Sequence, residues 1–98
     1  MQALTALSDP TRQRIVSMLA GGALSSGEIA SRFDMTAPAV SQHLKTLRDA
    51  KLVKVRAEAQ RRIYELNEEG VGELADWVND LRKFWADKFA ALEQELRK

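Results

Sequence analysis

Residues 25–47 read Ser25-Ser26-Gly27-Glu28-Ile29-Ala30-Ser31-Arg32-Phe33, then Asp34-Met35-Thr36, then Ala37-Pro38-Ala39-Val40-Ser41-Gln42-His43-Leu44-Lys45-Thr46-Leu47. Ser25 followed three residues later by Glu28 is a capping-box pattern and opens one short helix. Ile29, Ala30 and Phe33 give that helix a buried side. Thr36 suits the N-cap of a second helix, and Pro38 is tolerated in its first turn. Val40, Leu44 and Leu47 recur at spacings that point them inward together. The outward side carries Ser41, Gln42 and Lys45, which are hydrogen-bonding rather than acidic. Two short amphipathic helices joined by a tight turn, the second with such a face, predict a helix-turn-helix over about residues 25–50.

Upstream, Ala3 to Leu7 forms a short apolar turn. Asp9 suits an N-cap and Pro10 the first position of a helix. Ile15, Val16 and Leu19 supply its buried stripe, and Gly21-Gly22 stop it. Downstream the pattern changes. Leu52-Val53-Lys54-Val55-Arg56 and Arg61-Arg62-Ile63-Tyr64-Glu65-Leu66 are rich in β-branched and aromatic residues, with Ala57-Glu58-Ala59-Gln60 between them. They predict a two-stranded hairpin over about 52–66. Placed directly after a recognition helix, a basic hairpin is a wing.

From about residue 68 to 97 the chain predicts one long helix, loosened near Gly70 and Gly72. Val71, Leu74, Val78, Leu81, Trp85, Phe89, Leu92 and Leu96 keep a near-helical spacing, and Trp77 and Phe84 broaden the stripe. Such a helix reaches ~42 Å at ~1.5 Å per residue, more than a domain this small can cover. Its aromatic second half would be an unusual exposed patch. The expectation is a homodimer held by Trp77, Val78, Leu81, Phe84, Trp85, Phe89, Leu92 and Leu96, with Leu4 and Leu7 from the N-terminal turn. Folding back on the chain's own core would fit Val71 to Val78 but not Phe84 to Leu96.

The 98 residues suffice for one domain, and 45% hydrophobic content argues against disorder. No apolar run approaches the ~20 residues that span a membrane. The expected location is the cytoplasm, at the nucleoid, without a secretory leader. The absence of cysteine excludes disulfides and thiolate metal sites. One histidine, no cysteine and no glycine-rich phosphate loop leave no constellation for catalysis.

The net charge of +1 conceals a strong division. Residues 42–62 carry seven basic side chains against two acidic ones, whereas residues 63–98 carry five basic against nine acidic. A basic block behind a helix-turn-helix is an electrostatic footprint for nucleic acid. Base readout needs side chains with paired donors and acceptors. Thr36, Ala37 and Ala39 begin the recognition helix, and Gln42 can meet an adenine edge with two hydrogen bonds. Ser41 can reach a base or a phosphate. An alanine methyl can meet a thymine methyl. Lys45, Arg48, Lys54, Arg56, Arg61 and Arg62 are expected on phosphates, or in the minor groove through the wing tip. Two roles stay open for His43: a phosphate donor, or a half-buried ring satisfied within the fold. Arg12 and Arg14 are equally open between DNA backbone and plain surface.

The order helix, helix, helix-turn-helix, wing, long helix resembles the ArsR/SmtB family of bacterial repressors. Three strings carry the resemblance: Ala6-Leu7-Ser8-Asp9-Pro10-Thr11-Arg12, Ser41-Gln42-His43-Leu44-Lys45-Thr46-Leu47, and Leu52-Val53 through Tyr64-Glu65-Leu66. The resemblance spans nearly the whole chain. It implies a mainly α winged helix-turn-helix, about five helices with a two-stranded wing, in a homodimeric repressor of a palindromic operator, open to a small-molecule inducer. Many family members sense metals, but this chain has Ser25-Ser26-Gly27 where the metal sensors carry a Cys-x-Cys pair. It also has no histidine after residue 43. Hydroxyls and carboxylates suit such metals poorly, so no metal and no cofactor are expected. The family often has glycine at the positions of Lys51 and Ala59. A left-handed backbone there would cost a non-glycine residue ~1 kcal/mol. The alternative function is a winged-helix module that binds protein through its wing and aromatic helix, without specific DNA binding.

Overall fold

The computed structural model describes residues 1–97. Asp9 accepts from the Arg12 backbone N–H at 3.0 Å, with Pro10 at the first helical position, and so opens α2 (Pro10–Ala20) behind the short α1 (Gln2–Ala6). Ser25 and Glu28 form the capping box at the head of α3 (Ser26–Ala30). The Glu28 N–H donates to Ser25 Oγ at 3.1 Å and the Ser25 N–H donates to Glu28 Oε1 at 3.0 Å. Thr36 accepts from the Ala39 N–H and starts α4 (Ala37–Asp49).

α3 is shorter than its apolar pattern suggests. After Ala30 the chain tightens into turns, with Arg32 donating to the Ile29 carbonyl and Phe33 to the Ala30 carbonyl. Phe33 still packs against the core, beneath the Arg14 guanidinium at 4.6 Å from its ring centre.

The wing is β2 (Val53–Glu58) and β3 (Arg61–Leu66), antiparallel, with Glu58 opposite Arg61. The first strand therefore runs two residues closer to the tip than expected, while the second begins at Arg61 as expected, leaving Ala59 and Gln60 as the loop. Lys51 and Ala59 both adopt left-handed backbones, at φ 61° and 57°. The chain takes these conformations without glycine, at the cost noted above.

The sheet has three strands, not two. Leu24–Ser25 forms β1, and the order is β1-β3-β2, with Leu24 opposite Tyr64 and Ser25 opposite Ile63. The two-residue strand is too short for any alternation to announce it. It fastens the wing's central strand to the first residues of the helix-turn-helix.

The core gathers Ile15 and Leu19 from α2, Ile29 from α3, Val40, Leu44 and Leu47 from α4, and Leu52, Val53 and Tyr64 from the wing. α5 (Glu68–Leu96) leaves this body behind an Asn67 cap, whose side chain accepts from the Glu69 N–H. Glu68 and Glu69 lie in its first turn, where carboxylates suit the helix dipole. The helix is unbroken through Gly70 and Gly72, against the expected loosening. Gly70 is buried because α5 crosses the Lys51 turn there. Val71 and Leu74 pack on the core, and from Trp77 onward the apolar stripe is exposed. The molecule is 64 Å long and only 27 × 22 Å across, because most of α5 projects alone.

Candidate nucleic-acid interface

α4 is the centre of the candidate interface. Its buried side, Val40, Leu44 and Leu47, locks it to the core, so its other side is presented rigidly. Thr36, Ala37, Ser41, Gln42, Lys45 and Arg48 are exposed, and Ala39 is half-buried. Pro38, Ser41, Gln42, Lys45 and Arg48 form one wall of an open cleft of about 430 Å³. The other wall is β3, through Arg62 and Tyr64. Four of the residues expected on DNA from α4 thus meet one from the wing. Pro38 and Tyr64, both absent from that expectation, complete the lining. The available signal was the strand alternation that puts residues 62 and 64 on one face.

The basic residues are unequal. Lys45 lies 3.8 Å from Asp49, and Lys54 lies 4.0 Å from Glu65. Arg56 lies 3.2 Å from Glu65 and 3.5 Å from Glu58, and Arg61 lies 2.9 Å from Glu28. Among the described residues, Arg48 and Arg62 pair with no carboxylate. All the pairs are well exposed, so each is a weak tie that a phosphate can replace. Arg61 is further from a free cation than the sequence suggests. Its partner Glu28 is also the capping-box carboxylate, and the carboxyl is held below its ordinary value of 4.5, first by the Ser25 backbone N–H.

His43 is half-buried, and its surroundings favour the second of its two readings. Arg12 Nη1 lies 3.1 Å from His43 Nδ1, while Arg12 Nε donates to the Ala6 carbonyl at 2.6 Å. An arginine only donates, so in this contact Nδ1 is the acceptor. Asp9 Oδ2 stands 3.9 Å from the same nitrogen. Arg12 is thus a strut joining α1, α2 and α4, rather than plain surface. Arg14 lies over Phe33.

The second surface is α5. Val78 and Leu81 are 39% exposed, Trp85 45%, Phe89 62% and Leu96 78%. Trp85 stacks on Phe89 at 5.8 Å and meets Phe84 edge-on at 5.4 Å. Trp77, Phe84 and Leu92 are exposed along the same helix, as is Leu4 on α1. Leu7 is different: it is half-buried against the core of its own chain. Among the described residues no three histidine, aspartate or glutamate side chains gather as a metal site. No helix among them is long and apolar enough to cross a membrane.

A helix-turn-helix backed by a three-stranded winged sheet, with a polar helix face beside basic strands, defines a DNA-binding protein of the winged-helix class. Residues 7–56 match the helix-turn-helix domain family. The chain is 45% identical over 84 residues to the HTH-type transcriptional regulator Rv2034 of Mycobacterium tuberculosis, covering 86% of this chain and 76% of that protein. It is 34% identical over 73 residues to the transcriptional repressor SdpR of Bacillus subtilis, covering 74% and 81%. The crystal structure of the ArsR family transcriptional regulator RHA00566 superposes with a TM-score of 0.76 at 25% identity, covering 87% and 88%. The solution structure of the homodimeric winged helix-turn-helix DNA-binding domain Mb0332 from Mycobacterium bovis superposes at 0.69 with 26% identity, covering 89% and 81%. The chain belongs to the ArsR family of winged helix-turn-helix transcriptional regulators.

Proposed function

We propose that the chain works as a homodimeric repressor on a roughly palindromic operator. One observation carries the reading: the exposed polar face of α4 lines one cleft with Arg48 and Arg62, which pair with no carboxylate among the described residues. In this reading α4 enters the major groove. Gln42 and Ser41 meet base edges there, while Thr36, Ala37 and Ala39 pack at the helix entrance against bases or backbone. Arg48 and Arg62 meet phosphates directly, and Lys45, Lys54, Arg56 and Arg61 do so by exchanging carboxylate partners for phosphate.

The exposed stripe of α5 supports pairing with a second copy. The groove along it, about 500 Å³ and lined by Val78, Leu81, Trp85 and Phe89, is then filled by the partner's helix. The homodimeric neighbour shares this architecture. Two recognition helices related by a two-fold axis imply half-sites of matching symmetry.

Selection of bound duplexes from a random pool, followed by titration across a salt series, tests the reading. The expected result is a palindromic consensus and a steep salt slope. Gln42→Ala should then cost about 1–3 kcal/mol on the operator and relax one base pair per half-site. Failure to retard any duplex at low salt would sink it in favour of a protein-binding module.

A further inference from the structure

Tyr64 holds a position that core packing alone does not explain. It sits at the middle of the sheet, between Leu24 on β1 and Val55 on β2, and is only 5% exposed. Its ring belongs to the core cluster. Among the described residues its hydroxyl has no hydrogen-bond partner, and none of their polar side-chain atoms is both sealed from solvent and unpartnered. The hydroxyl therefore reaches solvent, and Tyr64 is one of the residues that line the cleft between α4 and β3. Phenylalanine would fill the same core without a polar edge. Arg62 lies two residues away on the same strand face, and Arg48, in the last turn of α4, lines the same cleft. Those two guanidiniums are the cations of this cleft without a carboxylate partner among the described residues.

We propose that this cleft seats one phosphodiester of the DNA backbone per subunit. The Tyr64 hydroxyl donates to a non-bridging oxygen, and Arg48 and Arg62 flank it. The physical case is a division of labour. The two arginines supply charge but must be ordered on binding, which costs side-chain entropy. The tyrosine ring is already immobilised by the sheet, so its donor pays none. A fixed donor at the junction of wing and recognition helix sets how deep and in what register α4 sits, and hence where Gln42 meets the bases. This inference rests on the DNA-binding reading above.

The experiment compares wild type, Tyr64→Phe, Arg48→Ala and Arg62→Ala on the selected operator. It is repeated on a series of duplexes in which one phosphate at a time is replaced by an uncharged methylphosphonate. Tyr64→Phe should fold and melt like wild type. It should bind every duplex about tenfold more weakly, the size of one hydrogen bond to a charged acceptor, with an unchanged salt slope. Each arginine variant should instead lower the slope by about one per subunit. At one methylphosphonate position per half-site the penalty should be smaller for Tyr64→Phe than for wild type, the remainder being the charge that Arg48 and Arg62 still lose there. Equal penalties for both proteins at every position, or a Tyr64→Phe variant that binds as tightly as wild type, would overturn the cleft assignment. Loss of binding to all duplexes by wild type itself would overturn the DNA-binding reading instead. The arginine variants lie on the surface, so the charge arm stands even if the tyrosine change disturbs the sheet.

Discussion

Glu28 Oε1 lies 2.9 Å from Arg61 Nη2, so the carboxylate that caps the first helix of the helix-turn-helix also holds the wing. The same oxygen accepts from the Ser25 backbone N–H at 3.0 Å, and Ser25 itself pairs with Ile63 of the central strand. One side chain thus joins the helical and sheet halves of the DNA-facing surface.

Acid should loosen this joint. The Glu28 carboxyl is held below its ordinary value of 4.5, first by the Ser25 backbone N–H, then by the Ser25 side chain and the Arg61 charge. Asp9 is likewise held below 3.8, first by the Arg12 backbone N–H. A carboxyl that gives up its proton more readily when folded stabilises the fold above its ordinary value. It loses that contribution as pH falls towards the lowered one. Melting temperature should therefore fall as pH drops through and below the ordinary values of 4.5 and 3.8. Glu28→Gln should melt lower than wild type at neutral pH and with a shallower acid dependence. Parallel pH curves for the two proteins would count against this account.

Gly70→Ala should destabilise the chain by about 1–3 kcal/mol. A Cβ at Gly70 would stand 2.0 Å from the Lys51 carbonyl oxygen, and backbone there cannot swing aside as a side chain does. α5 would have to lift from the Lys51 turn. Urea denaturation measures the loss, and Gly72→Ala, with open space around it, is the control.

Lys51→Gly should act in the opposite direction. Lys51 sits at φ 61°, where glycine removes a cost of ~1 kcal/mol, partly offset by a freer unfolded chain. Its contact with Glu69, 3.5 Å and exposed, contributes little. A small net gain in the urea midpoint is expected. A clear loss would mean that the Lys51 side chain stabilises the turn more than its geometry indicates.

Trp85→Asp should break the pairing of subunits. Trp85 lies between Phe84 and Phe89 on the exposed stripe, and a carboxylate there would enter an apolar seam unpartnered. The expected loss is at least about 2 kcal/mol of association, read by sedimentation at micromolar concentration. Wild type sedimenting as a folded monomer at that concentration would remove the idea.

Local sequence alone determined much of this protein. Asp9, Ser25 with Glu28, and Thr36 mark helix starts because a cap needs only a side-chain oxygen two or three residues from the N–H it accepts. Val40, Leu44 and Leu47 announce the buried side of α4 because helical periodicity is itself local. The basic block and the unpartnered stripe of α5 were legible for the same reason, being properties of consecutive residues. Only the tertiary structure decided which cations stay free. Arg61 meets Glu28 across 33 positions of chain, and no spacing rule connects them. It also decided that Leu24–Ser25 becomes a strand, since two residues have no alternation of their own and gain their hydrogen bonds from β3. Gly70 looks in sequence like a weak point in a helix. Its role appears only where α5 crosses the Lys51 carbonyl, because close approach of two backbones depends on the packing of distant segments and not on either segment alone.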